Sequence, residues 1–555
     1  MNIKIEGNRI KTTSEYDAKM IRALNQLEGM KRWGGNRSFT FENTPYNIEV
    51  WKQVFPSCVI EMADAPTAVV EDGIFDVPSD RPTFKFKTQP REHQKKALEK
   101  ISTLEACGMF MDVGTGKSWT AISIVGRRWC EGKSDHVLLV AKNGVHAQWV
   151  EEQIPAHMSE SVAWKAWVWR KGKKADKDYD DMMKFEGLKI FTINIDAIIT
   201  PAGESRIMDF LKSARGKATI IVDESQDIKN MTAIRTKAAI RYGNICKYRM
   251  IMTGTPIAKD VVDLFSQFKF LDERILGHRY LSTFKSRYCI FRQTDFGPQL
   301  IGHQNIEELY KKIDPFIFRI TSEEALDLPP KVYIQRPFAL SAEQLKLIKE
   351  LRQQFFTDVG KDDFSTVKNA ASLLTRIQQI SCGFLPKDDG TIMMLPNPRL
   401  EELVTILDQR SGKAIIWCRF NRDIEMVKKK LGPSAVDYYG GTSAIDRDKN
   451  KKAFLDPESS VLYLVASPEA AGTGLNLQGL CKTNIYYSNS FNSLARWQSE
   501  GRTWRDGTTD TVTYFDLVAR KSPDAKILAN LTNKKSISDL TLDEYRKLFD
   551  AEEDL

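Results

Sequence analysis

The sequence has no apolar run near the roughly eighteen residues that a membrane-spanning helix needs, and its opening stretch, MNIKIEGNRIK, lacks the apolar centre of a signal peptide. These absences make the chain an expected soluble, intracellular protein with no membrane partner: cytoplasmic in a bacterial or phage-infected cell, nuclear in a eukaryotic one. Its eight cysteines, Cys58, Cys107, Cys130, Cys246, Cys289, Cys382, Cys418 and Cys481, form no C-x-x-C pair and have no histidine at zinc-ligand spacing. Structural zinc is therefore not expected, and the thiols should be reduced and mostly buried. Long Pro, Gly, Ser or Gln tracts are also missing, while 42% of residues are apolar and 28% charged, which excludes fibrous and disordered classes. The net charge of +8 is small for 555 residues and by itself selects no partner.

What remains is a chain long enough for three or four units with sizeable cores. Short apolar runs alternate with helix-like stretches from about residue 89 to 256: ACGMFM (106–111), VLLVA (137–141), KIFTI (189–193), TIIV (219–222) and RMIM (249–252). Runs of this kind, each ending in polar or Gly-rich residues, are the pattern of parallel strands buried on both faces. A second series follows with KAIIWC (413–418), VDYY (436–439), VLYLVA (461–466), NIYY (484–487) and TVTYF (511–515). The expected fold class is α/β: two parallel-sheet lobes at 89–256 and 401–520, with helical insertions and an inter-lobe linker at 257–400. A small α+β unit at 1–65, a linker at 66–88 and a helical tail at 521–555 complete the division. The mixed-charge run RKGKKADKDYDDMMK (170–184) reads as a solvated surface loop.

The strand ACGMFM leads into DVGTGKS (112–118) and then into a helical stretch. A Gly-rich turn at a strand-to-helix junction lets backbone N–H groups approach phosphate oxygens, and the helix N-terminus adds its positive end. Gly114, Thr115 and Gly116 would form this cradle, Lys117 would reach the β- and γ-phosphates, and the Ser118 hydroxyl would ligand magnesium. Met111 occupies the place of the first glycine of the general pattern. After TIIV comes DESQ (223–226), where Asp223 can hold magnesium and Glu224 can orient and deprotonate an attacking water. Thr253, Gly254 and Thr255 follow a further buried strand, where hydroxyls can sense the γ-phosphate. In RWQSEGRTWRDGT (496–508), Arg502 and Arg505 are three apart, so on a helix both guanidinium groups would face one way as arginine fingers. A basic surface helix is the plainer reading of that segment.

Taken in order, these motifs resemble helicase superfamily two, and within it the Swi/Snf-type double-stranded DNA translocases. PREHQ (90–94) looks like the family's adenine-reading segment, with Arg91 and Gln94 in the matching places, and VLLVAKNGVHAQWVEE (137–152) is similar to its first DNA-contacting segment. KAIIWCRF (413–420), YYGGTSAIDR (438–447), SPEAAGTGLNL (467–477) and QSEGRTWR (498–505) follow the family order, adding Gly472 and Thr473 as coupling residues and Gln498 at the nucleotide. IDPFIFRITSEEALDLPPK (313–331) resembles the inter-lobe segment of these translocases. The sequence departs from the family pattern at DESQ, Met111 and Thr508. In the N-terminal unit, residues 27–56 resemble the HARP module of annealing helicases, with Trp33, Arg37, Phe39 and Phe41 on one hairpin. Aromatics and a cation so placed can stack on bases and pair with phosphate, or can form the core of a small domain.

The resemblance implies that the two lobes are RecA-like and that the chain is an ATP- and magnesium-dependent motor acting as a monomer on double-stranded or branched DNA, hydrolysing ATP between those lobes. A strand-separating DNA or RNA helicase is the alternative within the superfamily. An ATP-dead DNA clamp is the alternative outside enzymes. The process served and any protein partners are not legible.

Overall fold

The computed structural model describes residues 81–532 except 171, 258–259, 295–296, 360–365, 388, 472–474, 476 and 478, together with five N-terminal strands. Those strands are β1 (Asn2–Glu6), β2 (Arg9–Thr13), β3 (Lys31–Trp33), β4 (Ser38–Glu42) and β5 (Ile60–Met62), forming one sheet in the order β3-β4-β2-β1-β5. The chain divides into two compact units, with the changeover between Ile320 and Thr321.

The first unit carries β6 (Ala106–Met111), β7 (His136–Ala141), β8 (Trp164–Val168), β9 (Leu188–Asn194), β10 (Ala218–Asp223) and β11 (Tyr248–Thr253). After a hairpin of β12 (Cys289–Thr294) and β13 (Gly297–His303), β14 (Ile317–Ile320) completes a seven-stranded sheet in the order β14-β6-β11-β10-β7-β9-β8. Every pairing in this sheet is parallel. Its strands read as unbroken apolar runs because both faces are covered: Leu138 and Val140 point into one core, Val137, Leu139 and Ala141 into the other.

The second unit opens with β15 (Lys331–Phe338) and a hairpin of β16 (Phe384–Pro386) and β17 (Ile392–Met394). Then come β18 (Ala414–Trp417), β19 (Ala435–Tyr438), β20 (Tyr463–Ala466), β21 (Thr483–Tyr486) and β22 (Val512–Ala519). The six-stranded sheet has the order β15-β22-β21-β18-β20-β19 and is again parallel throughout. Ile416 faces one core, Ile415 and Trp417 the other.

Two sequence expectations need correction here. Residues 257–400 are not only helical: β14 extends the first sheet and β15 the second, because edge positions tolerate strands of mixed polarity that lack the buried apolar signature. Residues Lys173–Met183 form a helix rather than a loop, since Ala175, Tyr179 and Met182 recur at helical spacing and are buried while the charges face outward. The seven described cysteines are buried thiols that form no disulfide with one another, and no described helix is long and apolar enough to cross a membrane.

Arg399 organises the second core. Its guanidinium is fully buried, pairs with Asp524, and donates to the carbonyls of Tyr487 (2.5 Å) and Leu517 (3.1 Å). Replacing it leaves Asp524 as an uncompensated buried charge, so Arg399→Met is expected to cost about 3–5 kcal/mol of stability. Urea unfolding at neutral pH checks this, and an unchanged midpoint would refute it.

Candidate nucleotide site

In the first unit, β6, β11 and β10 are neighbours running the same way, so their carboxyl ends meet at one edge of the sheet. The register aligns Thr253 with Phe110 and Asp223 with Met252, which brings the segments after all three strands to one level. Ligands bind at such edges because the loops there converge and the following helices point their N-termini inward.

The turn after β6 ends in a helix, Lys117–Cys130, whose N-cap is Gly116. Gly114 and Gly116 take φ of +85° and +90°, a left-handed conformation that a side chain resists. At Gly116 a Cβ would also lie 2.2 Å from the Gln94 side-chain nitrogen, so this glycine is required twice over. Gln94 belongs to the helix Glu92–Ile101, and its Oε1 accepts the Arg91 backbone N–H at 2.9 Å. The adenine-reading candidate therefore stands against the phosphate loop. Lys117 donates to the carbonyls of Met111 (2.8 Å) and Asp112 (3.1 Å), folding its ammonium over the mouth of the loop.

Asp223 ends β10 and accepts a hydrogen bond from the Trp149 indole at 3.0 Å. Burial, with the adjacent Glu224 carboxylate, pushes Asp223 up to about 6, against the pull of Trp149 and Lys117. Two adjacent carboxylates, one of them raised by burial, favour a cation, and the Ser118 hydroxyl with Asp223 is a donor set that suits magnesium arriving with phosphate groups and keeping several waters. Among the described residues no three His, Cys, Asp or Glu side chains gather into a metal cage.

Glu224 has φ of +56°, unusual for a residue with a side chain and of order 1–3 kcal/mol in cost where it occurs. Gln226 donates to Glu224 at 2.8 Å and accepts from the Thr253 hydroxyl at 2.5 Å, while the Thr255 N–H donates to Thr253 at 2.9 Å. Ser225 donates to buried Gln267, which in turn donates to the carbonyls of Pro256 and Asp263. The acidic tetrad and the T-G-T turn thus form one hydrogen-bonded relay. Gln226, noted in the sequence only as a departure, is its centre. Trp149 and Gln226 had no assigned role in the sequence; both lie inside quoted motifs, but nothing local marks either as a partner of the carboxylates.

In the second unit, the helix Ser493–Glu500 ends before Arg502 and Arg505, which corrects the expectation that both lie on one helix. Gly501 follows the helix and the chain turns instead. Buried Arg502 donates to the carbonyls of Leu475 (3.2 Å) and Gln498 (3.3 Å), whereas half-buried Arg505 sits in the turn closed by Thr508. The Thr508 hydroxyl donates to the Arg505 carbonyl (2.7 Å) and the Thr503 carbonyl (3.0 Å), so the residue that departs from the family pattern locks the arginine turn. Burial disfavours the charge on Arg505, and Asp506 partly restores it. Buried Gln498 lies on the helix itself. Gly472, Thr473 and Arg37 fall outside the described residues. Trp33 lies on β3, and Phe39 and Phe41 lie on β4, with the two strands paired antiparallel, Trp33 opposite Ser38.

The SNF2-related domain matches residues 93–383, more than half of the chain, and the helicase conserved C-terminal domain matches residues 398–507. The chain belongs to the SNF2-related family. The Bacillus subtilis putative ATP-dependent helicase/translocase YwqA is 26% identical over 491 residues, covering 84% of this chain and 50% of that protein. An uncharacterized ATP-dependent helicase of Mycoplasma genitalium is 26% identical over 343 residues, 60% of this chain and 31% of that one. The chain thus spans half or less of the length of these two bacterial relatives. The RAD54-like DNA repair and recombination protein of Danio rerio is 23% identical over 512 residues, 82% of this chain and 67% of its own. A solved Sulfolobus solfataricus SWI2/SNF2 ATPase core in complex with dsDNA has 22% identity and a TM-score of 0.36, covering 84% of this chain and 98% of that one.

Proposed function

We propose that the protein is an ATP-hydrolysing motor that moves along double-stranded DNA and remodels or anneals it. The observation that carries this reading is the relay from Glu224 through Gln226 to Thr253, at the sheet edge that also holds Lys117 and Asp223. A bare phosphate-binding loop needs no such wiring, whereas a motor must report the state of the γ-phosphate to the rest of its fold.

In this reading Gln94 selects the base, Lys117 exchanges its two carbonyl partners for phosphate oxygens, and Glu224 orients a water and takes its proton. Magnesium held by Ser118 and Asp223 would supply charge neutralisation at the phosphates. Arg502 and Arg505 are the proposed cations for the charge that develops on the γ-phosphate, and Gln498, in the same motif, is a proposed nucleotide contact. The coupling set extends to Gly254, Thr255, Gly472 and Thr473. Membership of the SNF2-related family supports duplex DNA as the track, and Trp33, Arg37, Phe39 and Phe41 are the proposed accessory contacts to branched DNA.

ATP turnover measured in parallel on double-stranded, single-stranded and forked DNA and on RNA tests this function. Duplex should stimulate most, and the motor should displace a third strand from a triplex only when ATP is present. Efficient unwinding of a long tailed duplex without triplex displacement would establish the strand-separating helicase instead.

A further inference from the structure

The segment entering β15 has a second role in the structure that its place in the sequence does not disclose. Pro329 offers its carbonyl to the Trp504 indole N–H at 2.7 Å, and the Lys331 ammonium lies 4.1 Å from the centre of the Trp504 ring. The same ammonium reaches the Glu500 carboxylate at 3.2 Å, and Glu500 also accepts from the Tyr333 hydroxyl at 2.7 Å. Glu500 is buried, and so is its other partner, Arg496, whose Nε donates to it at 2.8 Å. Arg496 continues to Asp516 on β22, the strand that pairs with β15, and its guanidinium stacks on Tyr486. Tyr333 stacks on Tyr514, whose hydroxyl donates to the Glu500 carbonyl. Burial alone would raise the Glu500 carboxyl; Arg496 and Lys331 more than offset it and keep the group ionised.

Two arms of this network, from Pro329 and Lys331, end on Trp504, which directly precedes Arg505; the others converge on Glu500 at the end of the helix before the turn. A side chain held at its edge by a carbonyl and over its face by a cation has little freedom, and the backbone that bears it is fixed with it. Cations that act on a developing charge need that fixity, because a displacement of about 1 Å can cost roughly a hundredfold in rate. The grip also comes from residues 329–333, which directly follow the connection from β14 of the first unit.

We infer that Lys331 and Trp504 are positioning residues for ATP hydrolysis, a clamp by which the inter-unit connection sets the arginine turn. The inference rests on the proposed role of Arg502 and Arg505. Neither clamp residue needs to touch the nucleotide, so loss of the clamp should slow turnover without weakening ATP binding.

The test uses the full chain with duplex DNA. Lys331→Ala should lower kcat between about tenfold and about a hundredfold with KM for ATP changed less than about threefold. Lys331→Arg, which can still pair with Glu500 and cover the indole, should restore most of the rate. Trp504→Phe keeps an aromatic face for Lys331 but loses the N–H to Pro329, and it should lower kcat in the same manner at an assay temperature well below its melting temperature. Normal kcat in Lys331→Ala and Trp504→Phe overturns the clamp, as does a loss that merely tracks lowered thermal stability and is not rescued by arginine. A wild-type chain without ATPase activity would instead overturn the proposed function and take the clamp with it.

Discussion

Purified Lys117→Ala and Glu224→Gln variants are expected to hydrolyse no ATP above background while keeping the fold. Lys117 bonds the backbone carbonyls of Met111 and Asp112 at the loop mouth, outside the apolar cores, so its removal should spare the fold but deprive the phosphates of their main cation. Glu224→Gln is nearly isosteric and keeps an oxygen that can accept from Gln226, so the relay geometry survives. An amide accepts no proton from water, however, and the hydrolytic step fails. The two variants should separate in binding: Glu224→Gln should retain ATP near the wild-type affinity, whereas Lys117→Ala should bind it weakly. Phosphate release with a fluorescent-nucleotide titration measures both, alongside circular dichroism for the fold. Near-normal turnover in either variant would place the active site elsewhere.

The second large effect is expected at the arginine turn. Arg502→Ala or Arg505→Ala should lower DNA-stimulated turnover by about a thousandfold or more, because arginine fingers act on charge that appears only in the transition state. ATP affinity should change far less, giving a kcat effect with little movement in KM. The two positions differ in their surroundings. Arg502 bonds the carbonyls of Leu475 and Gln498, so its removal should also loosen the segment after residue 474, visible as a lowered melting temperature. Arg505 occupies a turn held by Thr508, and its loss should leave stability nearly intact. Single-turnover hydrolysis and a thermal melt distinguish these outcomes. If both variants keep the wild-type rate, the segment is a structural basic turn and the fingers lie elsewhere.

The same contrast between local and distant signals runs through the whole molecule. All ten strands expected in the two lobes are present, because a strand covered on both faces must be apolar along its length and that pattern is written in consecutive residues. β8, β14 and β15 escaped the pattern: they lie at sheet edges, where one side has no strand neighbour and polar side chains are tolerated. The phosphate loop was legible for a similar reason, since strand, glycines, Lys117 and helix are contiguous. Arg502 and Arg505 were legible as residues but not in their geometry. Helical spacing was assumed where Gly501 ends the helix.

By itself the sequence determined the α/β class, the two parallel sheets and the identity of the groups at the phosphate loop and the acidic tetrad, because each depends on residues adjacent in the chain. Only the tertiary structure decided which groups act on which. Trp149 reaches Asp223 across 74 residues, Gln226 joins Glu224 to Thr253 across 27, and Lys331 meets Glu500 across 169. Pairings at such separations exist because strand order in the sheets brings the chain back to the same edge, and strand order leaves no periodic trace in the sequence. The chemistry is therefore carried by short motifs, whereas the coupling between them is a property of the fold.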